Sequence, residues 1–262
     1  MNPDRSPDPT ADRLVDRVGK LLAQAEGTDN EHEAAAFVER AQQLATEHAV
    51  DLELARARQR ERQSRGGGEP LVQERLEVGQ RGRRGNRHRV QLYAVVAASN
   101  DVLVNVAHDS SYVLGFGHRS DLDVVERLWS SLAVQMTAAA QRRMDRGEHR
   151  AAGIAGLSWR LSYYDGFTAA VGERLQRARK RAIAQTRPAA VAGEPSAALV
   201  LRAKGERVKS FYDTASQARG SWRGAWAGRT QSSADAAASG RADGARADLG
   251  QPGIRQRGRL GA

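Results

Sequence analysis

The segment SDLDVVERLWSSLAVQMTAAAQ, residues 120–141, decides the fold because it carries the clearest periodic pattern in the chain. Its apolar residues recur at intervals of three and four, which places them on one face of an α-helix. They are Leu122, Val125, Trp129, Leu132, Met136 and Ala139. Ser120, followed three positions on by Asp123, matches a capping box at the helix start. The pattern predicts a long helix with one face in the core.

The residues before this helix predict a β-hairpin. DVLVNVAH, residues 101–108, and SYVLGFGH, residues 111–118, each show the period-two pattern of a half-buried strand. The turn-forming residues 109–111, Asp-Ser-Ser, lie where the two strands join. VQLYAVVAASN, residues 90–100, precedes the hairpin and predicts a short buried helix.

A second long helix is predicted downstream, because apolar residues recur at helical spacing over residues 159–178. Its opposite side is basic and carries Arg174, Arg177, Lys180 and Arg181. ALVLR, residues 198–202, predicts a third strand, and KGERVKSFYDTA, residues 204–215, predicts a last helix. From residue 216 onward the composition is typical of a flexible tail.

Two shorter apolar stripes near the start of the chain predict an αα-hairpin. The first spans residues 14–25 and the second spans residues 34–48. Gly27 lies between them and tolerates the left-handed conformation that commonly follows a helix. The next residues, 51–62, continue helix-like with charge on nearly every face, and the glycine run in SRGGGEP, residues 64–70, predicts a linker.

These patterns together predict an α+β protein. An N-terminal αα-hairpin is followed by a small antiparallel sheet, formed by the β-hairpin and a third strand, and two long helices pack on one sheet face. The expected domains are a helical hairpin at residues 11–50, a charged helix and linker at 51–85, an α+β domain at 86–215 and a flexible Arg/Gly/Ala-rich tail at 216–262.

Positive charge is concentrated toward the end of the chain. The formal net charge is +10, and the balance of Lys and Arg over Asp and Glu is −4 for residues 1–60, +3 for residues 61–150 and +11 for residues 151–262. This asymmetry is the electrostatic footprint of a protein that binds nucleic acid. Arg, Ala and Gly enrichment also follows from a GC-rich coding bias, so charge alone leaves both interpretations open.

Composition excludes several classes of protein. The sequence has no cysteine, which excludes disulfides, thiolate zinc sites and a cysteine nucleophile. No run of about 18 apolar residues occurs, and the polar, proline-rich N-terminus lacks the apolar core of a signal peptide. We therefore expect a cytoplasmic protein that makes no contact with a membrane.

The sequence His32-Glu33 begins the zincin signature His-Glu-x-x-His, but Ala36 stands where the second histidine belongs. His48 lies 16 residues beyond His32, about 24 Å along a helix, so the two histidines cannot share a metal ion. The same residues fit the start of a helix, with Asn30 as the N-cap and Glu33 at the third helical position.

A partial metal site is a competing interpretation of the β-hairpin. His108 and His118 each follow a strand and are candidates for neighbours across the hairpin, where Asp109, Asp121 or Asp123 would have to complete the ligands. The sequence contains neither a Gly-x-Ser-x-Gly motif nor a Walker loop. No catalytic residue, metal ligand or cofactor is predicted.

Two Arg-rich regions are candidate nucleic-acid-binding surfaces. The first is a basic loop with Arg81, Arg83, Arg84, Arg87 and Arg89, and His88 in the same loop is expected to be solvated. The second is the helix face with Arg174, Arg177, Lys180 and Arg181. The tail, with Trp222 and Trp226, offers stacking platforms for single strands. Charged helix faces are usually only solvated, and the tryptophans are equally suited to packing on the core.

The hairpin segment VGKLLAQAEGTDNEHEAAAFVERAQQLATEHAVD, residues 18–51, resembles the bacterial domain of unknown function 2786. Residues 120–141, YYDGFTAAVGERL at 163–175, and GRADGARADLG at 240–250 are similar to its companion, domain of unknown function 7168. The resemblance implies small cytosolic or phage-borne proteins with no established activity. It also implies that Glu33 and His48 are part of the family pattern of the hairpin itself. It further implies local order near residue 240.

Three functional hypotheses follow from the sequence. The first is a non-enzymatic accessory protein that binds nucleic acid non-specifically through Arg-rich surfaces. The second is a protein-protein interaction module in which the helical hairpin docks a partner. The third and least favoured is a metal-dependent hydrolase or nuclease.

Overall fold

The computed structural model describes residues 69–185, 197–222 and 232–249, together with Leu21 and Gln24. The predicted αα-hairpin at residues 11–50 and the charged segment that follows it therefore lie, except for those two positions, outside the described residues. The described chain has helices and one small antiparallel sheet, so the predicted α+β class is confirmed.

The sheet has three antiparallel strands in the order β1-β3-β2. They are β1 (Leu71–Glu77), β2 (Leu103–Val106) and β3 (Tyr112–His118). Phe116 of the central strand lies opposite Gln73 on one side and Leu103 on the other. The predicted β-hairpin, formed by β2 and β3, is confirmed.

The third strand is not where the sequence placed it. ALVLR, residues 198–202, lies within helix α5 (Ala197–Ala215), and the third strand is β1, in the segment predicted as a linker. A short apolar run fits a strand or a buried helix equally well by periodicity. In β1 the inward positions include Glu74, which forms an ion pair with Arg119, and this charge obscured the alternation of the strand.

The other helices are, in chain order, α1 (Asn86–Ala98), α2 (Arg119–Asp145), α3 (Glu148–Ala151), α4 (Gly156–Gln185) and α6 (Ala234–Gly244). The short buried helix and the two long helices expected from the sequence correspond to α1, α2 and α4. The predicted capping box at the start of α2 is wrong: Ser120 lies inside the helix, and its amide donates to the carboxylate of Glu69.

Helices cover both faces of the sheet. α1 and α2 pack on one face, and α5 packs on the other, where Phe116 contacts Tyr212 with ring centroids 5.0 Å apart. The expectation that both long helices lie on the sheet is wrong for α4, which packs mainly on α1, α2 and α6. α4 and α6 therefore form a further layer that packs on α1 and α2, on the side away from the sheet.

The core lies between the sheet, α2 and α4. The apolar face predicted for α2 is buried as expected, and Trp129, Leu132 and Met136 are fully enclosed. α4 adds Trp159, with Tyr163 stacked on it at a centroid distance of 5.5 Å. Each large side chain of this kind contributes about 1.5–3 kcal/mol by leaving water, so α2 and α4 hold most of the apolar stabilisation.

Part of the predicted tail is a helix of the core. α6 follows α4 so closely that backbone meets backbone at three glycines. A Cβ at Gly166 would overlap the carbonyl oxygen of Ala237, one at Gly240 would overlap that of Tyr163, and Gly244 lies similarly tight against Phe167. The prediction of a flexible tail over residues 216–262 is therefore wrong for residues 232–249.

No helix among the described residues is both long enough and apolar enough to cross a membrane.

The glycine contact predicts a strong asymmetry between two Gly→Ala substitutions. Gly240→Ala should lower the free energy of unfolding by about 1–3 kcal/mol, because the methyl group has no room between α6 and α4. Gly205→Ala, in α5 with open space around it, should raise stability by up to about 1 kcal/mol through helix propensity. Urea unfolding measures both values, and equal effects would contradict the packing described.

Candidate nucleic-acid interface

The basic loop predicted from the sequence is only partly a surface. Arg83, Arg84 and Arg87 are exposed, and Arg81 is exposed but bonded to Asp109 at 2.6 Å. Hydrogen bonds from Ser111 and then from Arg81 hold the pKa of the Asp109 carboxyl well below its usual range. Arg81 is thus an electrostatically compensated residue, and the exposed cations of the loop are Arg83, Arg84 and Arg87.

Arg89 and His88 correct the sequence-based interpretation. Arg89 has no exposed surface and packs beside Asn86 and Gly79, so it cannot contact a phosphate group. His88 was expected to be solvated but is buried, with Nε2 3.5 Å from a carboxylate oxygen of Asp165. Both residues lie in the first turn of α1 and point inward. Their basic character made this turn resemble an exposed loop in the sequence.

The basic face of α4 divides into structural and exposed residues. Arg174 donates to the carbonyl oxygens of Gly244 and Ala247, at 3.0 and 2.6 Å, and so fixes the end of α6. Arg177, Lys180 and Arg181 are exposed. We call these three residues the α4 stripe.

The structure does not bring the two predicted basic regions together. The basic loop begins before α1 and ends in the first turn of that helix, whereas Arg179 of α4 donates to the carbonyl oxygen of Ser99, just beyond the last residue of α1. Thirteen residues of helical rise separate these positions by about 20 Å. The loop and the α4 stripe are therefore separate surfaces.

A cleft of about 500 Å³ between α2 and the end of α6 contains a group of arginines that sequence reasoning missed. Its lining residues are Gln135, Ala138, Ala139, Arg142, Arg143, Arg146, Phe167, Asp243, Arg246 and Ala247. We call it the arginine cleft. Four guanidinium groups and one carboxylate line it, so its wall is strongly positive.

Asp243 holds one side of the arginine cleft to the other. Its carboxylate accepts two hydrogen bonds from Arg143, at 2.7 and 3.0 Å, and one from the Tyr163 hydroxyl at 2.7 Å. Arg143 also donates to Glu148. The hydrogen bond from Arg143 is the main cause that lowers the pKa of Asp243, while burial, followed by Asp243, raises the pKa of Tyr163.

The segment that follows α6 is fixed at three points along the cleft. Besides the two bonds from Arg174, the Gln135 side chain donates to the carbonyl oxygen of Asp248 at 3.0 Å and accepts from its amide at 2.8 Å. Arg246 lies between these anchors and is exposed. Its backbone position is therefore set before any ligand binds.

The exposed cations of the cleft are Arg142, Arg146 and Arg246. Arg146 forms an ion pair with Glu148 at 3.1 Å. Arg143 forms ion pairs with both Glu148 and Asp243. Arg174 bonds to Ala247, which lines the cleft. Arg177, the first residue of the α4 stripe, follows Arg174 by three positions, so the stripe starts about one helical turn from the cleft's rim.

The predicted partial metal site gains no support from the described residues. His108 lies in the turn of the β-hairpin and His118 at the far end of β3, about 20 Å apart by the rise of a strand. The expectation that they are neighbours is wrong. Among the described positions no group of three His, Asp or Glu side chains is arranged to hold a metal ion.

Leu21 of the predicted helical hairpin and Trp222 of the predicted tail both pack against the hydrophobic core. Leu21, from the hairpin, is half-buried there, while the other apolar residues of its two stripes lie outside the described residues. Trp222 also packs on the core, and its indole donates to Ser110 at 3.3 Å, so it is not a free stacking platform. Trp226 is outside the described residues.

Comparison with known proteins finds one family at the start of the chain. Residues 13–52 match the family model described as protein of unknown function DUF2786, in agreement with the resemblance seen in that segment. No match was found among curated proteins or among solved structures. The companion domain suggested for the later residues is not among the matches.

The carboxylate of Asp243 predicts a specific loss of stability in acid. Because its pKa is lowered in the folded protein, Asp243 stabilises the fold above its unfolded pKa of about 3.9, and this stabilisation is lost as the pH falls through the folded pKa. Asp243→Asn should therefore be less stable than wild type at pH 7, with a difference that shrinks below about pH 4. Thermal unfolding at several pH values measures it.

Asp213→Asn is the control, since Asp213 is exposed and pairs with Lys209 on the surface of α5. Its effect should stay within about 0.5 kcal/mol at every pH. A stability difference for Asp243→Asn that is the same at pH 3 and pH 7 would contradict the assigned role.

Proposed function

We propose that this protein is a non-enzymatic accessory protein that binds nucleic acid through its phosphate backbone, using the arginine cleft and the α4 stripe. The observation that carries the proposal is the cleft itself, in which four arginines and one carboxylate line a cavity whose walls are fixed by hydrogen bonds. Preorganised cations of this kind suit an anionic partner.

Arginine is the residue best suited to this role. Its planar guanidinium donates two parallel hydrogen bonds to a phosphate group, and it is more weakly hydrated than lysine. Arg142 and Arg246 present exposed side chains on opposite walls of the cleft. A phosphate group between them replaces water at both guanidinium groups.

The shape of the basic surface favours an elongated polyanion. The α4 stripe continues from the cleft's rim, because Arg174 anchors Ala247 and Arg177 follows one turn later along the helix. From Arg174 to Arg181 the helix rises about 10 Å. A strand with one phosphate in the cleft can place the next ones along this face.

The basic loop is a weaker candidate for the principal surface. Arg81 is already paired with Asp109, and Arg89 is buried. The loop also lies at the opposite end of α1 from Arg179, about 20 Å away by helical rise. It retains three exposed arginines. We therefore use two of them as the matched control for charge.

Salt-dependent binding to a single-stranded oligonucleotide of random sequence tests the proposal. Fluorescence anisotropy should show binding that weakens linearly on a logarithmic salt scale, because each neutralised phosphate releases counterion. The double variant Arg142→Gln/Arg246→Gln should lower the magnitude of the salt slope by about 1.4, which corresponds to two lost contacts at about 0.7 each.

Arg83→Gln/Arg84→Gln removes the same charge from the basic loop and should change the slope much less. Circular dichroism and thermal unfolding confirm that both double variants fold. Equal losses in the two variants would show diffuse electrostatic attraction and refute the cleft as the binding surface. Absence of binding at low ionic strength would refute nucleic-acid binding altogether.

A further inference from the structure

We infer that the arginine cleft recognises a terminal phosphate monoester in preference to an internal phosphodiester. This inference rests on the proposed function where the phosphate belongs to a nucleic acid, and it names the part of the strand that the cleft binds. Two features of the cleft support it: its charge and the fixed backbone of one wall.

The charge of the cleft matches a dianion. Its four arginines face two carboxylates, Asp243 in the wall and Glu148 bonded to Arg143 and Arg146. Two positive charges remain. A phosphate monoester carries between −1.5 and −2 at pH 7 because its second pKa is about 6, whereas a phosphodiester carries only −1.

The cleft has an apolar floor and two walls that come from different elements. Phe167, only 1% exposed, lies beneath it, and the small side chains of Ala138 and Ala139 line the α2 side. Residues 243–247 bound it opposite and are tied back to α2 by the Arg143–Asp243 pair.

Hydrogen bonds fix the backbone of the cleft wall that carries Arg246. Gln135 holds Asp248 with two hydrogen bonds, and Arg174 holds Gly244 and Ala247, so the backbone on both sides of Arg246 is anchored. Gln135 is thus a positioning residue for Arg246. Because the backbone around Arg246 is already ordered, less chain freedom is lost when its exposed side chain binds a phosphate group.

The same phosphate chemistry occurs at the end of a nucleic acid strand and in a small phosphate compound. The experiment therefore compares three versions of one 12-residue single-stranded oligonucleotide, which end in a 5′-hydroxyl, a 5′-phosphate or a 5′-phosphate methyl ester. The methyl ester is a phosphodiester at the same position and carries a charge of only −1. Methyl phosphate, a monoester, and dimethyl phosphate, a diester, serve as the small-molecule probes, with binding measured by calorimetry.

The 5′-phosphate strand should bind at least about tenfold more tightly than the hydroxyl strand, since one charge-assisted contact is worth roughly that factor. The methyl ester should bind like the hydroxyl strand. Arg142→Gln/Arg246→Gln should abolish the preference, and Arg83→Gln/Arg84→Gln should retain it. A 3′-phosphate strand is compared in the same way, because the cleft does not distinguish the two ends by charge.

The possible outcomes separate the terminal-phosphate inference from the proposed function. If all strands bind equally, the inference is overturned and the proposed function stands. If no strand binds but methyl phosphate binds more tightly than dimethyl phosphate, with loss in Arg142→Gln/Arg246→Gln, nucleic-acid binding fails and the inference holds for a small phosphate compound. If neither the strands nor methyl phosphate bind, both are overturned.

Discussion

Direct backbone contact between α4 and α6 is the constraint on which the remainder of this structure depends. Gly166, Gly240 and Gly244 leave no space for a Cβ between the two helices, and α6 consists largely of alanine, serine and glycine. A helix of this composition buries little apolar area, so its stability comes from close packing against α4 rather than from large side chains. Ser233 starts it by accepting a hydrogen bond from the amide of Ala236.

The docking of α6 creates the arginine cleft, the candidate binding surface. It places Asp243 between Arg143 and Tyr163, and this hydrogen-bonded network ties together α2, α4 and α6. The carboxylate neutralises Arg143, which leaves the exposed arginines of the cleft as the groups that meet a ligand. The Arg143–Asp243 ion pair thus lies in the wall of the candidate binding site and holds the two sides of the cleft together.

Sequence periodicity predicted the elements whose stability comes from apolar faces, and it failed where other interactions decide. The α2 face was correct because Trp129, Leu132 and Met136 alone specify its period. β1 was missed because its inward Glu74 is satisfied by Arg119, a partner about 45 residues away in the chain. Periodicity missed α6 and the arginine cleft beside it because a glycine-alanine helix has the composition of a tail and is stabilised by tertiary contact with α4, although the resemblance implied order near residue 240.

Hydrogen exchange over residues 233–249, followed by mass spectrometry, tests the central claim most directly. If α6 is part of the core, its amides exchange nearly as slowly as those of α4 in the free protein, and they slow further, together with residues 135–146, when a 5′-phosphorylated oligonucleotide is bound. Exchange of this segment at the rate of an unfolded peptide in the free protein would contradict the docked helix. Protection by the oligonucleotide confined to residues 81–89 would contradict the arginine cleft as its binding surface.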